Sequence, residues 1–279
     1  MSDSKSVHWG GSLHQTFRLL PVERHSGNLR PFLESHGLTP DEILDRLPYH
    51  EARAVARGGG GGRPDPKRYR DGKQVYQTIG LLYEGSDGRI RVTSLGEAVR
   101  RWIDIIRPGN SVILARHAAW ALAACQLKNP TGAGDRFPPD MQVFPFAFIW
   151  RAMLALDGKI GSDELNRAIL KVRNEDELGK AIEKIAHARE MGDIESLGGE
   201  TLSEKAKNDR IIPWMSLASF GWTLFPDKRG GSGYYELIPE TMDIVAEASR
   251  ISFEHREYRS TAEYVEHIAD CAALPKDLR

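Results

Sequence analysis

Between positions 67 and 77 the chain carries Lys67, Arg68, Arg70, Lys73, Gln74 and Gln77, a run of long side chains that end in hydrogen-bond donors. Arginine pairs both acceptors on the edge of a guanine through two parallel donors, and glutamine or asparagine does the same for adenine. A second run, Lys205, Lys207, Asn208 and Arg210, lies in the other half of the chain. Each run borders an apolar helical pattern, and each is followed by a turn-rich stretch with further cations: Arg89 and Arg91 after the first, Lys228 and Arg229 after the second. Arg68, Arg70, Gln74, Asn208 and Arg210 are the side chains expected to read base edges, and the others to hold backbone phosphates. Basic residues on a helix are as often an ordinary solvated face. The stronger expectation rests on both groups occupying the same place in their halves.

Catalytic chemistry finds few residues to stand on. A nuclease of the PD-(D/E)xK plan needs two carboxylates and a lysine on adjacent strands to bind a metal ion and activate water. Pro226-Asp227 is followed by Glu236-Leu237-Ile238, where the lysine position is apolar, and Pro64-Asp65 by Asp71-Gly72-Lys73 in a stretch that reads as helix. There is no GxSxG elbow, and the nine histidines form no HExxH or HxH pattern. His8, His14, His25, His36 and His50 read as surface or helix-end residues, and His117, among aliphatics, as a satisfied core group. Cys125 and Cys271 form no ligand pair and read as buried thiols of a reducing cytosol. The run Gly58 to Gly62 lacks the strand and spacing of a phosphate cradle and is expected to be a mobile surface loop. Trp102, Trp120, Trp150 and Trp214 sit at helical spacing among aliphatics and are expected in the core.

The elements that would position the donors follow in order. A short helix is expected from 26 to about 33, and a second after Thr39-Pro40-Asp41-Glu42, which carries the cap, the proline and the glutamate of a capping box. The basic run opens a third helix through Ile79. Strands at 81–84 and 89–93 flank Gly85-Ser86-Asp87-Gly88, a hairpin signal, and Thr93 is placed to cap a helix from Ser94 to Trp102. The Pro- and Gly-rich stretch 128–139 marks a boundary. Beyond it come an apolar helix over 144–156, a short strand ending at Ile160, a helix capped by Ser162 and a helix capped by Asn174 and running to Glu190. An apolar helix follows the second basic run. A second hairpin is expected from Trp222–Phe225 and Tyr234–Ile238, with Pro239 opening a helix and a last helix from Ser260 to Cys271.

This order predicts a mainly α chain with small β-hairpins, an α+β protein made of tandem winged-helix or helix-turn-helix units. The divisions are an N-terminal arm (1–24), a first unit (25–128), a linker (129–142), a second unit (143–255) and a C-terminal helix (256–279). Two units suit a chain of 279 residues. The formal net charge of -1 gives no global pull toward nucleic acid, so any such contact must come from local patches. No stretch approaches the roughly 20 apolar residues of a membrane span, and a cytoplasmic protein without membrane partners, bacterial or archaeal, is expected.

The stretch Thr78-Ile-Gly-Leu-Leu-Tyr-Glu-Gly-Ser-Asp-Gly-Arg-Ile-Arg-Val-Thr-Ser-Leu-Gly-Glu-Ala-Val, with the later Phe144-Pro-Phe-Ala-Phe-Ile-Trp-Arg-Ala-Met-Leu-Ala-Leu-Asp-Gly-Lys-Ile-Gly-Ser-Asp-Glu-Leu, resembles the DNA-recognition region of AlwI-like type IIS restriction endonucleases and nickases. The similarity extends from about residue 25 through the Tyr264-to-Pro275 tail and is carried by the order of the pieces. The resemblance implies recognition of double-stranded DNA in restriction or anti-phage defence. The family's cleavage domain follows this region, and the chain ends at Arg279, so cleavage and its Mg2+ are expected in another domain or a partner nuclease, with no cofactor here. A transcription regulator and a protein-docking module of a defence complex are the alternatives.

Overall fold

The computed structural model describes residues 8–9, 29–46, 66–102, 111–132, 137–138, 140–203, 205–206, 210–220, 233–250 and 254–272. The chain is mostly helical, with two antiparallel sheets of two strands each among these residues. In the first half, helical residues 29–33 precede α1 (Pro40–Leu44). The start of α1 is fixed by its own side chains: Glu42 accepts the Thr39 amide at 2.8 Å while Thr39 Oγ1 accepts that of Glu42 at 3.5 Å. These two contacts satisfy amides that have no partner inside a helix. In α2 (Pro66–Thr78), Tyr69, Val75 and Tyr76 are buried. The Phe32 ring stacks on Tyr69 at 5.8 Å and meets Tyr76 edge-on at 5.0 Å, which holds α2 over residues 29–33.

Strands β1 (Leu82–Glu84) and β2 (Ile90–Val92) pair as the expected hairpin, with Tyr83 opposite Arg91. The Gly85 carbonyl accepts from the Gly88 amide at 2.9 Å, and Gly88 takes φ 71, where a side chain would be strained. Residues 37 and 38 lie along the other edge of β2: the Gly37 amide donates to Ile90 at 2.8 Å and the Ile90 amide to Leu38 at 2.9 Å. Thr93 then caps α3 (Ser94–Trp102) through Gly96 N at 3.1 Å and donates to the Gly80 carbonyl at 2.7 Å. Gly96 is required here, because a Cβ on it would stand 2.2 Å from the Leu81 carbonyl oxygen.

After α4 (Ser111–Ala124), the second half is built around α5 (Pro145–Ala155), whose Phe146, Phe148, Ile149, Trp150, Ala152 and Met153 are all buried. A helix apolar on most of its circumference must be covered on most of it. α4, α7 (Glu175–Met191), α8 (Ile212–Phe220) and α9 (Met242–Arg250) all pack on it. Strand β3 (Lys159–Gly161) pairs with β4 (Tyr234–Glu236), setting Ile160 opposite Tyr235. The pairing of these two segments is a feature that periodicity did not foresee. The expected partner of residues 234–238, Trp222–Phe225, lies outside the described residues, as do Gly58–Gly62. Helix α6 (Ser162–Arg167) begins one residue earlier than expected: Glu164 Oε2 accepts the Gly161 amide at 2.7 Å, so Gly161 and not Ser162 is the cap. Asn174 caps α7 as expected, accepting from Glu177 N at 3.0 Å, and Gly192 closes it at φ 65.

Three ties cross long stretches of sequence. Trp9 is fully buried against Phe148 and Trp214, with its indole nitrogen donating to the Val172 carbonyl at 2.9 Å and its amide to Leu170 at 2.9 Å. The buried carboxamide of Gln126 exchanges two 2.9 Å bonds with the backbone of Arg256. Helix α10 (Thr261–Asp270), capped by Ser260, packs on α2, β1, α3 and α4, and Tyr264 donates to the Thr78 carbonyl at 2.9 Å. One contiguous apolar cluster therefore runs from Trp9 to Ala272. No helix among the described residues is long and apolar enough to cross a membrane.

Candidate nucleic-acid interface

Helical spacing sets Arg70, Lys73, Gln74 and Gln77 on one face of α2, at i, i+3, i+4 and i+7. Arg70 is exposed, Lys73 and Gln74 are partly exposed, and Gln77 is buried at 7%. Gln77 thus offers no edge to a ligand, because the bottom of the stripe turns under the chain. The backbones of Lys67 and Arg68 lie in the first turns of α2, and their side chains are outside the described residues. Gln74 lies against the linker: its Nε2 is 2.2 Å from where a side chain on Gly132 would begin. Only glycine at 132 lets the amide approach so closely.

Three cations of this half, Lys73, Arg89 and Arg91, are held by internal acceptors. Lys73 Nζ reaches Glu84 Oε2 on β1 at 2.5 Å and lies 5.3 Å from the Tyr69 ring centre. Burial, reinforced by the Glu84 charge, pushes the Tyr69 phenol well above its ordinary range. On the hairpin, Arg89 donates to the Gly37 carbonyl at 2.5 Å and Arg91 to Asp87 at 2.6 Å. The Arg89 backbone amide first, and Arg91 after it, hold the Asp87 carboxyl below the usual carboxylate range. Exposed pairs of this kind exchange readily for another anion, so they preset the direction of the guanidinium groups without locking them.

The second half is different. Lys205 is exposed and Arg210 partly exposed at the entrance to α8; Lys207, Asn208, Lys228 and Arg229 lie outside the described residues. α8 buries Trp214, Met215, Leu217 and Ala218. Its sequence carries no cation, so it presents no basic stripe of its own. The outer surface of α7 carries exposed Glu175, Asp176, Glu183 and Glu190 among Lys180, Lys184 and His187, an acidic balance that repels phosphate.

Sequence reasoning missed several residues. His36 is exposed just past residues 29–33, as expected of a surface or helix-end group, but its Nδ1 was not foreseen as the acceptor of the Val92 amide at 3.3 Å. His8, read likewise, is bonded to Asn166 Oδ1 at 2.9 Å, and burial lowers its pKa. The Arg189–Glu164 pair was also missed: Arg189 Nε and Nη2 bond the Glu164 carboxylate at 2.7 and 2.8 Å while the same guanidinium donates to the Leu156 and Lys159 carbonyls at 2.9 Å. A pair of (i, i+3) Glu and a distant Arg leaves no local sequence signal. Among the described residues no group of three or more His, Cys, Asp or Glu is arranged to hold a metal ion. No protein-family model matches the chain, and no curated protein matches it.

Proposed function

We propose that the chain reads a double-stranded DNA site with two winged-helix units, as the specificity component of a restriction or anti-phage defence system whose cleavage comes from another domain or subunit. The observation that carries this reading is an order of parts repeated in the two halves. Residues 29–33 and α5 each lead into a segment that bonds to the last strand of its half, the turn residues Gly37–Leu38 to Ile90 and strand Lys159–Gly161 to Tyr234–Glu236. Each segment runs directly into a short helix with a glutamate at its third position that accepts the cap amide, Glu42 at 2.8 Å and Glu164 at 2.7 Å. Each last strand follows a glycine in the left-handed region, Gly88 at φ 71 and Gly233 at φ 75. A helix in front of a hairpin suits one helix in the major groove with cations of the hairpin on the neighbouring backbone. Arg70, Lys73 and Gln74 on α2, with Arg89 and Arg91 on the hairpin, supply that set in the first unit; Lys205 and Arg210 supply it in the second.

Enrichment of bound duplexes from a random pool, with and without modified bases, tests the reading. One asymmetric site is expected, because the two units differ in sequence, and Arg70→Ala should cost about 1 to 3 kcal/mol and relax one position if Arg70 reads a base. A palindrome would point instead to a dimeric regulator, and no enrichment would contradict DNA reading altogether. The acidic surface of α7 favours a second reading, a module that docks a protein with that surface. It predicts that charge reversal on α7 abolishes partner capture and leaves duplex affinity unchanged.

A further inference from the structure

Two crossings of the chain between its halves are bonded to each other. Among the described residues the chain leaves the first half through 125–132, after α4, and comes back to it through 254–260, between α9 and α10. Gln126, on the outgoing segment, is 2% exposed. Its Nε2 donates to the Arg256 carbonyl at 2.9 Å and to that of Lys128 at 3.4 Å. Its Oε1 accepts from the Arg256 amide at 2.9 Å and from the Tyr258 hydroxyl at 3.3 Å. A carboxamide has two donor hydrogens and two acceptor lone pairs, so its whole bonding capacity is used, most of it on a segment 130 residues away. Thr261 Oγ1 adds a bond to the Pro130 carbonyl at 3.1 Å.

The same linker reaches the last residue of α2. Asn129 Nδ2 donates to the Gln126 carbonyl at 2.7 Å, and its Oδ1 accepts the Thr131 amide at 2.9 Å and hydroxyl at 2.6 Å. Thr131 Oγ1 in turn meets Thr78 Oγ1 at 2.8 Å. From the returning side, the Tyr264 hydroxyl donates to the Thr78 carbonyl at 2.9 Å. Thr78 closes α2 and is therefore held from both crossings.

Apolar packing also joins the halves, since α4 packs on α5 and α9 as well as on α3 and α10. Such contact is non-directional. A buried carboxamide with four partners is not: a slip of one segment past the other leaves donors and acceptors unpaired in the interior. We propose that Gln126 and Thr131 are positioning residues that fix the separation of the two DNA-reading units, by locking the crossing segments to each other and to the end of α2. The spacing role rests on the DNA reading above; the bonds of the clasp do not. A duplex turns by about a tenth of a helical turn per base pair, so a fixed separation makes the spacing within the site part of what is read.

The test uses the full chain with Gln126→Leu and with Thr131→Val, the second keeping the shape of the side chain. Affinity is measured for the enriched site and for the same site with one base pair added at its centre, and amide hydrogen exchange is followed in the free protein. The wild type should bind the lengthened site more weakly, on the order of tenfold. Both variants should bring the two affinities toward equality, and in Gln126→Leu the Arg256 amide should exchange roughly tenfold faster. Variants that discriminate the two sites as well as the wild type does, or a wild type that binds both equally, overturn the positioning role and leave DNA reading standing. A wild type that binds no duplex overturns the spacing role together with that reading, and the exchange of Arg256 then shows whether the clasp stands as a lock between the halves. If Gln126→Leu does not fold, Thr131→Val decides by the same comparison of sites.

Discussion

The two sheets among the described residues carry the same kind of last strand by opposite means. β1 and β2 are joined by Gly85-Ser86-Asp87-Gly88, so their register is set within one short turn. β3 and β4 bring Ile160 against Tyr235 across α6, α7 and α8. The second sheet therefore depends on what holds those helices: the Arg189–Glu164 pair, the stacking of Arg189 on Tyr234 at 5.3 Å, and Trp9 wedged between Phe148 and Trp214. Local pairing requires little closure of the chain, whereas distant pairing must be offset by packing. The lesson is that the half with the clearer cationic stripe is the locally specified one, and the half with the larger apolar core is held by contacts far apart in sequence.

The largest expected effects break the second half alone. Trp9→Ala should cost about 3 to 5 kcal/mol, as loss of a buried aromatic does. Hydrogen exchange should then show faster opening of β3, α6 and α7, with the β1–β2 hairpin still protected; equal loss in both halves would erase the distinction. Glu164→Gln removes one partner of a buried pair and should cost a similar ~3 kcal/mol or more, read as a lower midpoint of urea unfolding. A smaller effect is expected in the first half, where Thr93→Ala should cost about 1 kcal/mol through the lost α3 cap and expose the Gly96 amide first.

Acid should destabilise the chain through its partly buried histidines. Burial holds the His8 pKa below its ordinary 6.5, so the unfolded chain binds the proton more readily and stability falls as pH drops below 6.5. His255 and His267 are shifted the same way, chiefly by burial. Asp87 and Glu42 are held below the usual carboxylate range, first by the Arg89 and Thr39 amides respectively. Their contribution is full at neutral pH and is lost only as pH falls through those lowered values. Melting temperature should thus fall between pH 7 and 5, with a shallower slope in His8→Asn. The smallest effect is Asp87→Asn, which should leave the melting temperature almost unaltered while freeing Arg91 and strengthening duplex binding at low salt.

What was legible in the sequence was what the chain settles locally. The Thr39, Thr93 and Asn174 caps, the first hairpin, the apolar run of α5 and the presence of a last helix after Ser260 all follow from spacing within a few residues. Position 161 misled because Ser162 has the better capping side chain, whereas the glutamate at 164 reaches the amide of the residue before it. Trp9, Gln126 and Arg189 were not legible in their roles, since each acts on a carbonyl or carboxylate at least 25 residues away along the chain. The stripe on α2 was legible as a set of donors, but the burial of Gln77 and the close approach of Gln74 to Gly132 depend on how α2 is packed.

Duplex affinity over a range of salt concentrations is the direct test of whether the cationic edges meet nucleic acid. The logarithm of the binding constant should fall linearly with the logarithm of salt, with a slope near −0.9 for each neutralised phosphate, and the slope should become shallower when Arg89 and Arg91 are both replaced by alanine. Affinity that does not depend on salt, or that is the same with and without those two arginines, would contradict it.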